Sequence, residues 1–392
     1  MKTLNVLFLT ESQRDDYWSH QKDVIEGLRH NVSIVDVIIC VEKYIEIGSF
    51  GLKNLISETI IRKSIDVVIV FMGIICTLDP WYLSKVSNDF SCKIVLIFTD
   101  PEHSFENHDK YYAQCADLSW LCAAPMEGFF NIHNFSTYTK QGFYLPKYQS
   151  GIVEKDIDVS FIGGIYRADR KEYLDFLSEN GIEVFVAGYD SQKGEVDFFE
   201  KNSLISRSKI HLNFTKVENR SKNINVRLHQ QKGRPIEASL LNTFVLSESY
   251  SGLEMVFDQF DEIPTFEDKY DLLKKIKYYL ANPMQRESAT KKAHVKSLQY
   301  DSVIVSKEML TKLASLHIKE KYFIADKVFL EKYVGQRYYF FGFFIGNGKF
   351  LLSFDELRAI FKLDNFQFKH FGFHFSRGLY HGLSNSISKK FS

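Results

Sequence analysis

The sequence predicts an α/β protein built from two successive Rossmann-like domains and a C-terminal appendage. Short runs rich in Val and Ile alternate with amphipathic segments from the start, the pattern of buried parallel strands joined by crossover helices. A polar passage at 144–156 (YLPKYQSGIVEKD) breaks that pattern with Pro, Gly and charge, as a linker does, and the alternation then begins again. Beyond about residue 316 the composition shifts: residues 317–392 hold 20 aromatics and twelve Lys or Arg against six Asp or Glu. The expected division is therefore 1–150, 151–316 and 317–392.

In the first domain, strands are expected at 4–9, 32–39, 66–72 and 93–98, each apolar, short and bounded by helical patterns. In the second, strands are expected at 158–162, 183–187, 209–214 and 243–247, with helices at 168–178, 196–206 and 269–281. The last of these carries Leu272, Leu273, Ile276 and Leu280 at helical spacing, and Pro283 suits the first turn of another helix. The appendage centres on YYFFGFFI at 338–345. Its HFGFH motif, with His370 and His374, reads as strand or turn rather than helix because Phe and Gly separate the histidines, and no carboxylates complete a ligand set. No metal site is expected.

Lys plus Arg equals Asp plus Glu over the 392 residues, so the formal net charge is zero. That balance argues against a dedicated nucleic-acid binder, which needs a basic surplus to neutralise phosphates. The five cysteines are odd in number, lie in the first third and form no Cys-x-x-Cys pair, the usage of reduced, buried thiols. The apolar run near the N-terminus is too short for a secretory signal, and no run approaches the ~18 residues of a membrane span. A cytoplasmic protein is expected, with membrane contact at most peripheral. Three readings are open for 317–392: packing onto the first domain, an oligomer interface, or contact with an anionic membrane.

In open α/β sheets ligands bind beyond the carboxyl ends of the strands. The first strand exits into Thr10-Glu11-Ser12-Gln13, whose lack of glycine argues against a dinucleotide enzyme. The first strand of the second domain instead exits into Gly163-Gly164, with Arg167 and Arg170 at a helix start. Glycines admit close backbone approach, and a helix N-terminus with arginines suits a phosphate. A plain tight turn fits the same residues. Further on, a basic stretch with Lys222, Arg227, His229 and Lys232 leads into Arg234-Pro235-Ile236-Glu237-Ala238. Proline in a helix's first turn places Arg234 and Glu237 together at its N-terminus, suited to a diphosphate and a diol, or to simple capping.

Four ordered blocks between about 156 and 300 carry a more specific signal: DVSFIGG followed by Arg170, then KIHLNF, then RPIEASLLNTFVLSE, then EIPTFEDKYDLLKKIKYYLANPMQR. This span resembles the donor-binding half of CgeB-like glycosyltransferases, which are related to glycosyltransferase group 1. The resemblance implies a GT-B fold: two Rossmann-like domains facing a central cleft, with the nucleotide-sugar held mainly by the second and a glycan, lipid-linked glycan or surface-polysaccharide acceptor by the first. It further implies that Gly163 and Gly164 face the diphosphate, that Arg170 supports their loop, and that Asn213 lines the cleft. Arg234 and Glu237 complete the implied donor site, with no cofactor and no metal, and Arg227 of the basic stretch before them is a further donor-binding candidate. The glutamate-x7-glutamate spacing of related transferases is absent, since Glu237 and Glu248 lie eleven apart. In the first domain, Phe98-Thr99-Asp100-Pro101 is similar to a strand-end Asp-Pro of some relatives. Asp100, His103 and Glu11 are candidates by position for the general base that an inverting transfer needs, while a turn or N-cap role also fits Asp100. Two alternatives of other classes fit the same fold: a non-catalytic nucleotide- or glycan-binding scaffold, and a sugar-nucleotide epimerase.

Overall fold

The computed structural model describes residues 4–10, 20–72, 77–149, 153–166, 170–217, 228–318, 320–361 and 371–391. The first sheet takes its strands from β1 (Asn5–Thr10), β2 (Ile34–Ile39), β3 (Val67–Phe71), β4 (Lys93–Phe98), β5 (Leu118–Leu121) and β6 (Thr137–Thr139). All pair in parallel, in the order β2-β1-β3-β4-β5-β6. Helices α1 (His20–Arg29), α2 (Cys40–Lys63), α3 (Pro80–Phe90), α4 (Pro101–Ser104), α5 (Lys110–Ala113) and α6 (Glu127–Ile132) connect them. β3 and β5 are buried along their whole length and β4 all but Lys93, which is why they read as unbroken apolar runs rather than alternating ones.

The second sheet is also parallel, in the order β13-β12-β9-β7-β8, from β7 (Ile157–Ile162), β8 (Val184–Ala187), β9 (Ser208–Asn213), β12 (Phe244–Glu248) and β13 (Thr265–Phe266). A two-stranded antiparallel pair, β10 (Lys216–Val217) and β11 (Leu228–His229), projects beside it. Around this sheet lie α7 (Arg170–Glu179), α8 (Phe198–Ser206), α9 (Arg234–Leu240), α10 (Lys269–Ala281) and α11 (Pro283–Ser297). Helices α3, α8 and α10 each begin at an Asp whose carboxylate accepts backbone N–H groups of the first turn, Asp79, Asp197 and Asp268 respectively.

The chain then returns. Helix α12 (Ser302–Ser315), which the sequence places in the second domain, packs on the first. Val305, Met309, Leu310 and Leu313 are buried against Val6, Phe8, Val24 and Trp120. Polar contacts fix the same seat: Asn31 donates to the Val303 carbonyl at 2.8 Å, and Lys93 to the Leu313 and Leu316 carbonyls at 2.6 and 2.7 Å. The boundary near 316 is therefore corrected: the apolar face of α12 matches the exposed side of the first sheet, a long-range pairing with no local mark.

The last three helices, α13 (Lys327–Gly346), α14 (Phe350–Phe361) and α15 (Phe371–Phe391), extend that first domain. Of the three readings for the aromatic run, packing holds for α13, whose Phe329, Tyr333, Phe340, Phe343 and Phe344 join the core beneath the first sheet. The HFGFH motif is corrected from strand or turn: His374 lies on helix α15, and His370 is outside the described residues. Glycine explains the helix, because a Cβ at Gly342 or Gly346 would overlap carbonyls of Phe375 or Leu379, and one at Gly378 or Gly382 those of Tyr339 or Phe343. Here glycine is selected for backbone-to-backbone approach between α13 and α15, which outweighs its low helix propensity. Beneath the extension Arg337, Glu356 and Tyr44 are all buried. Arg337 donates to Glu356 at 3.1 Å and to the Tyr44 hydroxyl, and Tyr44 donates to Glu356 at 2.5 Å. This triad fastens α13 and α14 to α2.

Candidate active site

A cavity of about 540 Å³ lies between the two sheets. In the second sheet the strand order reverses between β7 and β9, the place where open α/β folds take ligands. β7 ends there in Gly163-Gly164. Gly163 donates to the Ala187 carbonyl at 2.8 Å and is held at φ +155°, and a Cβ on Gly188 (φ +125°) would lie 2.8 Å from the Gly163 carbonyl group. The two strand-end loops thus touch backbone to backbone. Gly188→Ala is expected to cost about 1–3 kcal/mol through strain and overpacking. Differential scanning fluorimetry measures that loss as a lowered melting temperature.

Arginines brace this loop. Buried Arg170 donates to the Gly164 carbonyl at 2.7 Å, and Arg234 reaches the Asn213 side-chain oxygen at 3.3 Å. Both guanidinium groups lie over the Phe161 ring, 5.6 and 5.5 Å from its centroid. Arg234 opens α9 with Pro235 behind it, so the fixed φ of proline aims the first turn of that helix at the Gly163 loop.

Glu237, one turn further along α9, pairs with Lys201 at 2.7 Å and accepts from the Tyr148 hydroxyl at 3.3 Å. Burial opposes its ionisation, but Lys201, Arg234 and Tyr148 together hold its carboxyl below the usual range. Tyr148 also lies 3.4 Å from Asp23, which pairs with Lys147 at 2.8 Å. Burial pushes Asp23 up to about 6, against the pull of Lys147. A chain of charge, Lys147–Asp23–Tyr148–Glu237–Lys201, therefore runs from α1 of the first domain to α8 and α9 of the second.

His20 lines the cavity from the first domain beside Asp23. Its Nε2 lies 3.6 Å from Cys122 Sγ and its Nδ1 is buried without a hydrogen-bond partner. Burial pushes it down to about 4, countered in part by Glu237, so the imidazole is neutral near pH 7. Lys232 lines the cavity opposite and is pushed down to about 8 by burial and then by Arg234. It donates to Gln230, which in turn donates to Asp100, while the Gln231 amide donates to Glu102 at 3.1 Å and the Gln231 side-chain oxygen accepts from the Ala124 amide at 2.8 Å.

Of the residues singled out in the sequence, Gly163, Gly164, Arg234 and Glu237 meet at the cavity. Arg170 and Asn213 stand behind them. Asp100 and His103 are exposed and do not line it; Asp100 receives Gln230 instead. Glu11 and Arg227 lie outside the described residues. Glu248 has a structural duty: its Oε2 accepts from the Thr215 and Lys216 amides at 2.9 Å each and its Oε1 pairs with Lys216 at 2.7 Å, fixing the turn after β9. Sequence reasoning missed His20, Asp23, Tyr148 and Lys201, which sit on helices and the linker without motif. Gly188 was findable as a glycine one residue past a strand end.

One buried group gives a pH test. His211 on β9 accepts or donates at Nδ1 with the Ser160 hydroxyl at 2.9 Å, is fully buried, and is pushed down to about 3 by burial, with Arg234 and Lys201 adding to the effect. The fold binds its proton less tightly than the unfolded chain, so its neutral form stabilises fully above the ordinary histidine value, and that contribution is lost as pH falls toward the lowered value. This residue alone is expected to remove up to about 5 kcal/mol over that window. Melting temperatures measured on acidification should fall less steeply in His211→Gln.

The comparisons with known proteins follow this geometry. Residues 167–304 match a family model described as glycosyl transferase-like. No curated protein matches the chain. Among solved structures, Alr3699/HepE of Anabaena in complex with UDP-glucose superposes with a TM-score of 0.56 at 12% identity, covering 80% of this chain and 100% of its own. A glycosyltransferase of Rickettsia africae gives 0.56 at 9% identity with the same coverage, and the sucrose-phosphate synthase of Thermosynechococcus elongatus gives 0.53 at 11%, covering 78% and 98%. The fold is GT-B. The GT-B cleft is the cavity described above, and the span that matches the family model supplies Lys201, Lys232, Arg234 and Glu237 to its lining.

Proposed function

We propose that the chain is a CgeB-like glycosyltransferase that moves a sugar from a nucleoside-diphosphate sugar to a hydroxyl of a glycan, lipid-linked glycan or surface polysaccharide. The observation that carries this reading is the meeting of Gly163-Gly164, Arg234 and Lys232 at the switch point of the second sheet, within one cavity. Open backbone and two cations suit a diphosphate, and they supply the leaving-group charge that a metal supplies elsewhere, so the reaction is read as metal-independent. Glu237, held ionised, is an acceptor-only group suited to donor hydroxyls. His20, neutral and half-buried across the cavity, takes a hydrogen bond from the acceptor hydroxyl. The family match over 167–304, and the UDP-glucose held by the Anabaena neighbour, support the same donor class.

The test is a panel of nucleotide sugars scored by thermal shift and by release of nucleoside diphosphate, with and without oligosaccharide and lipid-linked acceptors. Acceptor-dependent release supports a transferase. Binding without release under any condition indicates a scaffold. Conversion of the donor sugar without acceptor indicates an epimerase.

A further inference from the structure

Helices α14 and α15 face outward in an unusual way. A surface helix ordinarily turns polar residues to water. On α14 the exposed stripe is instead Phe350, Leu351, Phe354, Arg358 and Phe361, while Ser353, Glu356 and Ile360 are buried. On α15 it includes Phe373, Arg377, Tyr380 and Leu383, while Gly378 and Gly382 face α13. The seven apolar and aromatic side chains are 49–83% exposed.

Their charge is one-sided. The charged side chain within each stripe is an arginine, Arg358 or Arg377. The sequence of α15 contains no Asp or Glu at all, and Glu356 of α14 is turned inward to Arg337. Asp355 lies beside the α14 stripe, 3.9 Å from Arg358. An isologous contact with a second copy would set arginines toward arginines, so the face is not self-complementary. Arginines that keep their heads at the phosphate level, between aromatic rings that favour the headgroup region, complement an anionic bilayer surface. No helix among the described residues is long and apolar enough to cross a membrane, so contact of this kind lies on the surface. The α13–α15 pairing through glycines on both helices is also the close packing that helices use where water does not drive their association.

We infer that the outward stripes of α14 and α15 dock the protein on an anionic lipid surface, with Phe350, Leu351, Phe354, Phe361, Phe373 and Tyr380 entering the headgroup boundary and Arg358 and Arg377 engaging lipid phosphates. The inference is independent of the donor cavity, since none of these residues lines it.

Flotation of the full chain with vesicles tests it. Vesicles containing phosphatidylglycerol should carry the protein, vesicles of phosphatidylcholine alone should carry much less, and added salt should release it. R358Q/R377Q is expected to lower partition about thirtyfold, at about 1 kcal/mol per arginine. L351S/F354S/F373S/Y380S should reduce it to background with an unchanged melting temperature. Absence of flotation by folded protein overturns the proposal, as does equal binding to both vesicles that R358Q/R377Q does not weaken. A dimer in sedimentation equilibrium that the fourfold variant dissociates, without vesicle binding, would assign the face to a second copy instead.

Discussion

Glu237→Gln and Arg234→Ala are each expected to lower donor turnover at least about a hundredfold, the loss typical when a positioned charge is taken from a transferring group. They should act differently. Arg234 faces the Gly163 loop, so its removal takes a cation from the place assigned to the diphosphate and should weaken nucleoside-diphosphate binding as well as turnover. Glu237 lies a turn deeper, among Lys201 and Tyr148, so glutamine there should reduce turnover with little change in diphosphate affinity. Glutamine rather than alanine is the informative choice. Lys201 is almost wholly buried; glutamine keeps an oxygen that can still accept from its ammonium, whereas alanine removes that acceptor as well as the charge and would confuse a site defect with misfolding. Titration with uridine diphosphate alongside turnover separates the two effects. Wild-type turnover in both variants would remove these residues from the site.

Glu356→Ala is expected to loosen the C-terminal helices from the first domain at a cost of about 3–5 kcal/mol, because it strands the fully buried guanidinium of Arg337. Arg337 is not held by Glu356 alone. It lies over the rings of Tyr333 and Tyr44, 4.9 and 5.5 Å from their centroids, so the cation stays in place with its countercharge gone. Removing both charges with apolar groups of similar size, Arg337→Met with Glu356→Leu, should cost far less than the single change, since no charge is then left to desolvate. Limited proteolysis near 319–326, together with calorimetry, reads this directly. Equal losses in single and double variants would show that packing of α13, rather than the ion pair, fixes the extension.

Much of the architecture is legible in the sequence because buried parallel strands advertise themselves. β1, β3 and β4 are runs of Val, Ile, Leu and Phe, and α10 and α11 begin where Asp268 and Pro283 mark them. β5 and β6 were not anticipated: LSWL and TYT are too short to stand out, and they are strands because neighbours already in place offer them an edge. The Gly163-Gly164 loop was legible for the same reason as the strands, since it follows β7 at once. The opposite wall was not. His20 and Asp23 occupy an ordinary-looking helix turn, and Lys147 and Tyr148 sit in what reads as a linker, so their convergence on Glu237 depends on how two domains are set against each other. The appendage misled for a different reason: glycines and aromatics argue against a helix locally, and become its packing surface only when a second glycine-bearing helix lies alongside.

The return of the chain onto its first domain has a mechanical consequence. The outbound passage at Phe143 and the inbound passage at Tyr300 to Ser302 run side by side, with the Phe143 amide donating to Tyr300 and the Ser302 amide to Phe143, each at 2.8 Å. Two adjacent, mutually bonded crossings act as the pin of a door. The Gln230–Asp100 and Gln231–Glu102 bonds tie the same two halves a second time. A rotation of one half against the other about that line would carry Gly163 and Arg234 together relative to His20.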